Sequence, residues 1–231
     1  MKPRIEVVGL DVLMVRLFDA IDEANMPWIL AASQRLRAAF GARLVELVPS
    51  YTTLMVQFDC APGEARALIA DALRDLRPDS GQGGRSMQIA VWYDASVGPE
   101  LPLLAARCGV GEAEIVKRHT GREYQVFALG FAPGFAFMGL VEQSLASPRL
   151  ATPRKRVAAG SVGIAERQTA AYPALSPGGW NLIGRTPAPL FDRQRDGYSL
   201  LQPGDRVRFV AIDKAEFLKL GGDDTPLEER S

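Results

Sequence analysis

Histidine and cysteine are scarce in this sequence, and their scarcity limits the catalytic and metal-binding chemistry open to it. The 231 residues include one histidine and two cysteines. Cys60 and Cys108 form no CxxC pair, and one histidine with scattered carboxylates does not supply a metal-ligand set. We therefore expect no metal site, and we interpret the two cysteines as reduced core thiols of a cytoplasmic protein.

The sequence also lacks net charge and long apolar runs. Its 27 basic side chains balance 27 acidic ones, so no charge excess is available to hold nucleic acid or an anionic membrane. No uncharged apolar run reaches the roughly 20 residues that a membrane helix needs. Arg4, Glu6 and Asp11 interrupt the first residues before a signal-peptide core could form. We expect neither a nucleic-acid nor a membrane partner.

Two common catalytic motifs are missing as well. The segment Gly179–Thr186, GWNLIGRT, is one residue away from a phosphate-binding P-loop, because arginine stands where the lysine should be. Pro187 and Pro189 would also prevent the helix that must follow such a loop, and Trp180–Ile183 has the pattern of a strand. No GxSxG sequence marks a serine nucleophile. Any nucleotide must be bound by another arrangement or by another protein of a complex.

The first 84 residues have the pattern of a small α+β domain. The predicted elements are strands at Ile5–Val8 and Val12–Phe18, a helix from Pro27 to Gly41, strands at Leu44–Val48 and Thr53–Phe58, and a helix from Pro62. The segment Arg77–Gly84, RPDSGQGG, is short, polar and rich in glycine. It is the predicted domain boundary.

The second part of the chain has the pattern of a barrel-like sheet. A strand at Met87–Tyr93 precedes two short helices, Leu101–Arg107 and Glu112–His119, and a strand at Glu123–Phe131. From there to Ile212, short strands alternate with Gly/Pro turns. Residues 213–231 form a predicted tail, of which Gly221–Ser231 is polar and expected to be loose.

Glycine, proline, arginine and aromatic residues are concentrated between Gly130 and Thr186. This composition fits a pocket wall, and it also fits a β-rich domain with many turns. In the strand Ser161–Ala165 one face is small, so either a ligand or a bulky core side chain fills the space beside it. Arg154 and Arg156 project to one side, where they could grip a carboxylate or phosphate or protect a solvated edge strand.

His119 is the one imidazole available as a general base. The alternative is structural, because a cationic side chain is favoured in the last turn of a helix, here closed by Gly121. The residues alone leave both roles open.

Three long stretches, GFAPGFAFMGL, LATPRKRVAAGSVGIAERQTAAYP and SPGGWNLIGRTPAPLFD, closely resemble the family of 5-oxoprolinase B subunits. The family also includes allophanate hydrolase subunit 1 and the sporulation histidine-kinase inhibitor. His119 lies just upstream and LLQPGDRVRFVAI downstream, at positions that resemble those of the family. The resemblance implies an α+β protein in which a small N-terminal domain, residues 1–84, precedes a cyclophilin-like β-barrel, residues 85–212.

The resemblance implies the B subunit of an ATP-dependent 5-oxoprolinase, which converts 5-oxo-L-proline to L-glutamate together with a homologous C subunit and a separate A subunit. The chain is expected to be inactive alone, with an ATP site shared with or supplied by one of these partners. Two alternatives stay open: a carboxyltransferase half of the urea-degrading type, and a non-catalytic histidine-kinase inhibitor.

The expected site combines the motif residues with the resemblance. His119 is the expected catalytic residue. Substrate or phosphate binding is expected at Arg154, Arg156, Ser161, Gln168 and Thr169. The pocket and partner surface are expected at Gly134, Phe135, Tyr172, Gly178, Trp180 and Arg185.

Overall fold

The computed structural model describes residues 3–78 and 84–227, and the chain divides into two compact units, Met1–Gly84 and Arg85–Ser231. Of the predicted boundary segment Arg77–Gly84, residues 79–83 lie outside the described part. No helix in the described ranges is long and apolar enough to cross a membrane.

The first unit is a four-stranded antiparallel sheet with two helices. Its elements are β1 (Arg4–Val7), β2 (Val12–Arg16), α1 (Met26–Phe40), β3 (Leu44–Ser50), β4 (Thr53–Phe58) and α2 (Pro62–Ala72). The strand order is β1-β2-β4-β3. The helix α1 has proline in its first turn and ends at Gly41, where φ is +53°, as its sequence predicts. Ile29 and Leu36 of this helix and Leu54 and Val56 of β4 are buried and belong to the core.

The second unit contains nine strands and three helices in its described part. They are β5 (Ser86–Trp92), α3 (Leu101–Cys108), α4 (Glu112–Thr120), β6 (Glu123–Leu129), β7 (Ala136–Gly139), β8 (Arg154–Val157), β9 (Ser161–Ala165), β10 (Gln168–Ala171), β11 (Ser176–Gly178), β12 (Asn181–Arg185), β13 (Arg206–Ile212) and α5 (Lys214–Lys219). The strands β8 and β11 pair with each other outside the main sheet.

Seven strands close into a barrel in the order β10-β7-β6-β13-β5-β12-β9. A ring with an odd number of strands cannot alternate in direction throughout, and here β13 and β5 form the parallel pair. Closure leaves the barrel without unpaired edges. The predicted cyclophilin-like barrel is confirmed.

The strand β9 separates two cores. Val162 and Ile164 pack in the cluster that fills the barrel, whereas Ala165, on the other face, packs with Trp180 and Leu182. A Cβ added at Gly163 would lie 3.2 Å from the Trp180 Cβ. Core side chains therefore fill the space beside this part of the small face.

The end of the described chain is held in place, which corrects the expectation of a loose tail. Phe217 of α5 is buried, with its ring centroid 5.3 Å from that of Trp92. Beyond the helix, residues 221–227 form a C-terminal strap. Arg185 Nη1 donates to the carbonyl oxygens of Asp223 (2.6 Å) and Thr225 (2.8 Å). The polar composition of this segment predicted a loose tail. It could not reveal the strap, because Arg185, which binds it, lies 38 residues before Asp223 in sequence.

Candidate functional site

His119 lies in the last turn of α4 and is fully buried. Its Nδ1 lies 2.7 Å from the Tyr93 hydroxyl, and its Nε2 lies 2.9 Å from the Thr169 hydroxyl. The ring stacks on Phe209 at a centroid distance of 4.7 Å. The imidazole is therefore enclosed by core side chains, and both of its nitrogens have partners.

The Thr169 hydroxyl fixes the direction of these hydrogen bonds. It donates to the Gly163 carbonyl oxygen (3.1 Å), so it accepts from Nε2–H, and Nδ1 then accepts from Tyr93. Burial lowers the pKa of His119 to about 3, and burial also raises the pKa of Tyr93 well above its usual value. The expectation of a cationic helix-terminal histidine is therefore wrong. The enclosed ring also lacks the substrate access that a general base needs.

The structure does not bring Arg154 and Arg156 together as the paired grip that was one interpretation of their spacing. Arg154 is buried and donates to Glu100 (2.6 Å), whose other carboxylate oxygen accepts from the Leu182 backbone N–H (3.0 Å). Arg156 is exposed and lines a cavity whose lining does not include Arg154. Strand alternation could not reveal this difference, because Glu100 is 54 residues before Arg154.

Phe135, Tyr172 and Trp180 form a buried aromatic cluster on the outer face of the barrel. The Phe135 ring meets those of Tyr172 and Trp180 at centroid distances of 5.2 and 5.7 Å. Trp180 is only 5% exposed, so Phe135 and Trp180 are core residues of their unit rather than the expected partner surface. The exposed ring is Phe131, which is 61% exposed and packs edge-on against Phe135.

The two glycines expected in the pocket and partner surface, Gly134 and Gly178, are required by close packing. A Cβ at Gly178 would lie 2.3 Å from the Tyr172 hydroxyl. Gly134 has φ of +84°, and a Cβ there would lie 2.8 Å from the Leu190 carbonyl oxygen. Gln168 is half-buried on β10 and does not line the cavity of Arg156.

A cavity of about 350 Å³ brings together two of the expected site residues, Arg156 and Arg185. Its other walls come from the segment after β8, from Leu175 and from the C-terminal strap: Ala158, Ala159, Leu175, Asp223, Thr225, Pro226 and Leu227. Arg185 is 1% exposed, and burial lowers its pKa. Its Nε and Nη2 have no hydrogen-bond partner among the described residues.

The structure thus separates the predicted site into four places. His119 and Thr169 meet inside the barrel, the aromatic residues meet outside it, Arg154 is paired with Glu100, and Arg156 and Arg185 share the cavity. Sequence reasoning missed Tyr93, Glu100 and the strap, since none of them lies near its partner in sequence. Among residues 3–78 and 84–227, no group of three or more His, Cys, Asp or Glu side chains could hold a metal ion.

Comparisons of the sequence with protein families and with known proteins agree on one family. The family described as "Carboxyltransferase domain, subdomain C and D" matches residues 3–201. A protein of Bacillus subtilis, named as the B subunit of 5-oxoprolinase, is 34% identical over 93% of this chain and 95% of its own length. A protein of Escherichia coli O157:H7 with the same name is 49% identical over 58% of this chain and 60% of its own length.

Two solved structures resemble the chain. The crystal structure of TTHA0988 is 36% identical, with a TM-score of 0.77. The match covers 87% of this chain and 40% of that one, so the chain spans less than half of that protein. The Kluyveromyces lactis urea amidolyase matches 97% of this chain and 16% of its own length, with a TM-score of 0.75 and 16% identity, which indicates a shared fold.

Proposed function

This chain belongs to the family of carboxyltransferase domains, subdomain C and D, and from that membership we propose that it is the B subunit of a 5-oxoprolinase. The observation that supports this most directly is the match to the Bacillus subtilis protein of that name, which runs over 93% of this chain and 95% of that protein. Such a match leaves little of either protein unaligned. The proposed function therefore follows from nearly the whole sequence rather than from one motif.

The proposed reaction is the ATP-dependent opening of 5-oxo-L-proline to L-glutamate, in which water is added across the lactam C–N bond while ATP is hydrolysed. In this reaction the γ-phosphoryl group of ATP would pass to the amide oxygen with release of ADP, and it would leave as inorganic phosphate when water opens the ring. We propose that a homologous C subunit and a separate A subunit complete the enzyme, because the sequence contains no P-loop and the near-match at Gly179–Thr186 includes the strand β12. The ATP site is then supplied by or shared with a partner.

The chain's own contribution to this enzyme is a binding surface for an acid. The cavity of Arg156 and Arg185 offers guanidinium groups, which suit a carboxylate.

A cytoplasmic location is part of the same proposal and fits the two free thiols, Cys60 and Cys108. Both are half-buried, whereas the sequence predicted them in the core.

The urea-degrading carboxyltransferase remains a second candidate, supported only by the fold shared with urea amidolyase. We favour the oxoprolinase because curated relatives at 34% and 49% identity carry that name. The non-catalytic histidine-kinase inhibitor has no separate observation in its favour.

A reconstitution assay tests the proposal. The full chain is mixed with the purified A and C subunits, 5-oxo-L-proline and ATP, and glutamate and ADP are measured. Both products are expected in equal amounts with the complete set and not with the chain alone. A complete, folded complex that releases no glutamate would refute the function, and oxoproline-dependent ATP hydrolysis by the chain alone would refute its dependence on partners.

A further inference from the structure

Arg185 lines the cavity and keeps one edge of its guanidinium without hydrogen-bond partners. Its Nη1 is engaged by the carbonyl oxygens of Asp223 and Thr225. The unpartnered Nε and Nη2 lie side by side on the opposite edge of the planar group. Those two donors match the two oxygens of a carboxylate in a bidentate pair. Buried donors without partners are rare in folded proteins and call for an explanation.

Ser161 adds a second unpartnered polar group on the same side of the sheet. It is the register partner of Arg185 between β9 and β12, and directly opposite residues project from one face. Ser161 is fully buried, and its hydroxyl has no hydrogen-bond partner among the described residues. Two neighbouring positions thus keep buried hydrogen-bonding groups unused.

The charges around the cavity favour an anion with a single charge. Arg156 and Arg185 contribute two positive charges, and Asp223 contributes one negative charge. The Asp223 carboxylate is already engaged, since it accepts from the Thr225 backbone N–H (2.9 Å) and hydroxyl (2.6 Å). A carboxylate balances the remaining charge, whereas a doubly charged phosphate would leave a net negative charge in the cavity.

We propose that this cavity binds the carboxylate of a small organic acid, which Arg185 holds through Nε and Nη2 under the C-terminal strap. Both nitrogens are shielded from solvent, so binding through them requires neighbouring residues to move. The strap is part of the cavity lining and already holds Nη1 of the same guanidinium. The identity of the acid as 5-oxo-L-proline rests on the proposed function. The carboxylate site itself rests on the geometry of Arg185.

Calorimetric titration of the full chain tests the site with 5-oxo-L-proline, L-glutamate, acetate and inorganic phosphate. The matched control ligand is 5-oxo-L-prolinamide, which keeps the ring and loses the charge. At least one carboxylate is expected to bind and to raise the thermal midpoint, while the amide does neither. Absence of binding by every carboxylate up to about 10 mM, or tighter binding of phosphate, would overturn the proposal.

Variants connect the binding to Arg185. Arg185→Lys keeps the positive charge and removes the bidentate edge, so it is expected to weaken carboxylate binding about 10- to 100-fold. Arg156→Gln, at the exposed wall, is expected to fold like the parent and to weaken binding only a few-fold. Urea unfolding confirms that each variant is folded. Undiminished binding by folded Arg185→Lys would overturn the assignment. If that variant does not fold, undiminished binding by Arg156→Glu, which places a negative charge in the cavity lining, would overturn the carboxylate site.

The results separate this proposal from the proposed function. If the complete complex releases glutamate but the chain and the complex bind no carboxylate through Arg185, the function stands and the site is wrong. If the chain binds a carboxylate through Arg185 but the complex does not open the lactam, the site stands and the function is wrong.

Discussion

The imidazole of His119 is held between two hydroxyl groups, those of Tyr93 and Thr169, and this arrangement determines what its replacement should do. His119→Gln is expected to reduce the free energy of unfolding by about 1–3 kcal/mol, because one amide cannot satisfy both buried partners. Turnover per folded complex should stay within a few-fold of the parent. Urea unfolding and the reconstitution assay measure the two effects.

Tyr93→Phe is the matched control, since it removes only the hydroxyl that donates to Nδ1. It should destabilise the chain similarly without affecting turnover of the folded complex. The opposite result for His119→Gln, an unchanged unfolding midpoint with turnover reduced about 100-fold, would mean that the histidine is a general base after all.

His119 should also make stability depend on pH. Burial lowers its pKa to about 3 in the folded chain, against about 6.5 when it is unfolded. The unfolded state therefore binds more protons between these values. The free energy of unfolding is therefore unaffected by this group above about pH 6.5. Below that value His119 is expected to reduce it by about 1.4 kcal/mol per pH unit until about pH 3.

The comparison of parent and His119→Gln isolates this contribution, because the carboxylates titrate in both. The free energies of unfolding of the two proteins in urea are measured at about pH 8 and at about pH 5. The stability advantage of the parent over His119→Gln should be smaller at about pH 5. Parallel pH curves for the two proteins would contradict the buried neutral imidazole.

The outer aromatic cluster shows how neighbouring elements share a core. Trp180 immediately precedes β12 and packs against Phe135, which immediately precedes β7. Trp180→Ala should therefore reduce the unfolding free energy by about 3–5 kcal/mol. Phe131→Ala, at the exposed end of the same group of rings, should cost less than about 1 kcal/mol.

Thermal or urea unfolding of the two variants makes this comparison. If Trp180→Ala left stability unchanged and instead abolished co-purification of a partner protein, the partner-surface interpretation would be restored.

The chain as a whole contains a barrel that closes on itself within Arg85–Ser231. A fragment of residues 85–231 is expected to fold alone, because its sheet has no unpaired barrel edge and it has its own hydrophobic core. Its near-UV circular dichroism and a cooperative urea transition would demonstrate this. An aggregated or non-cooperative fragment would show that the barrel needs the first 84 residues.

Much of the fold could be predicted because its signals are local. The helix α1 is defined by proline in its first turn, a 3.6-residue apolar repeat and a terminal Gly41, all within one segment. Local patterning also located α3 and β4, and the long motifs between Gly130 and Asp192 carried the resemblance to the family. Local pattern by itself determined the elements and the motifs determined the resemblance, since each depends on residues that are close in sequence.

Only the tertiary structure decided which polar groups meet. His119 and Thr169 are 50 residues apart, Glu100 and Arg154 are 54 apart, and Arg185 reaches Asp223 across 38. Barrel closure and strand register bring these pairs together, and neither can be read from one segment. Arg154 is paired with Glu100 in the core, whereas Arg185 lines a cavity and keeps donors without partners. The two arginines look alike in sequence, because burial and partners are properties of the folded chain.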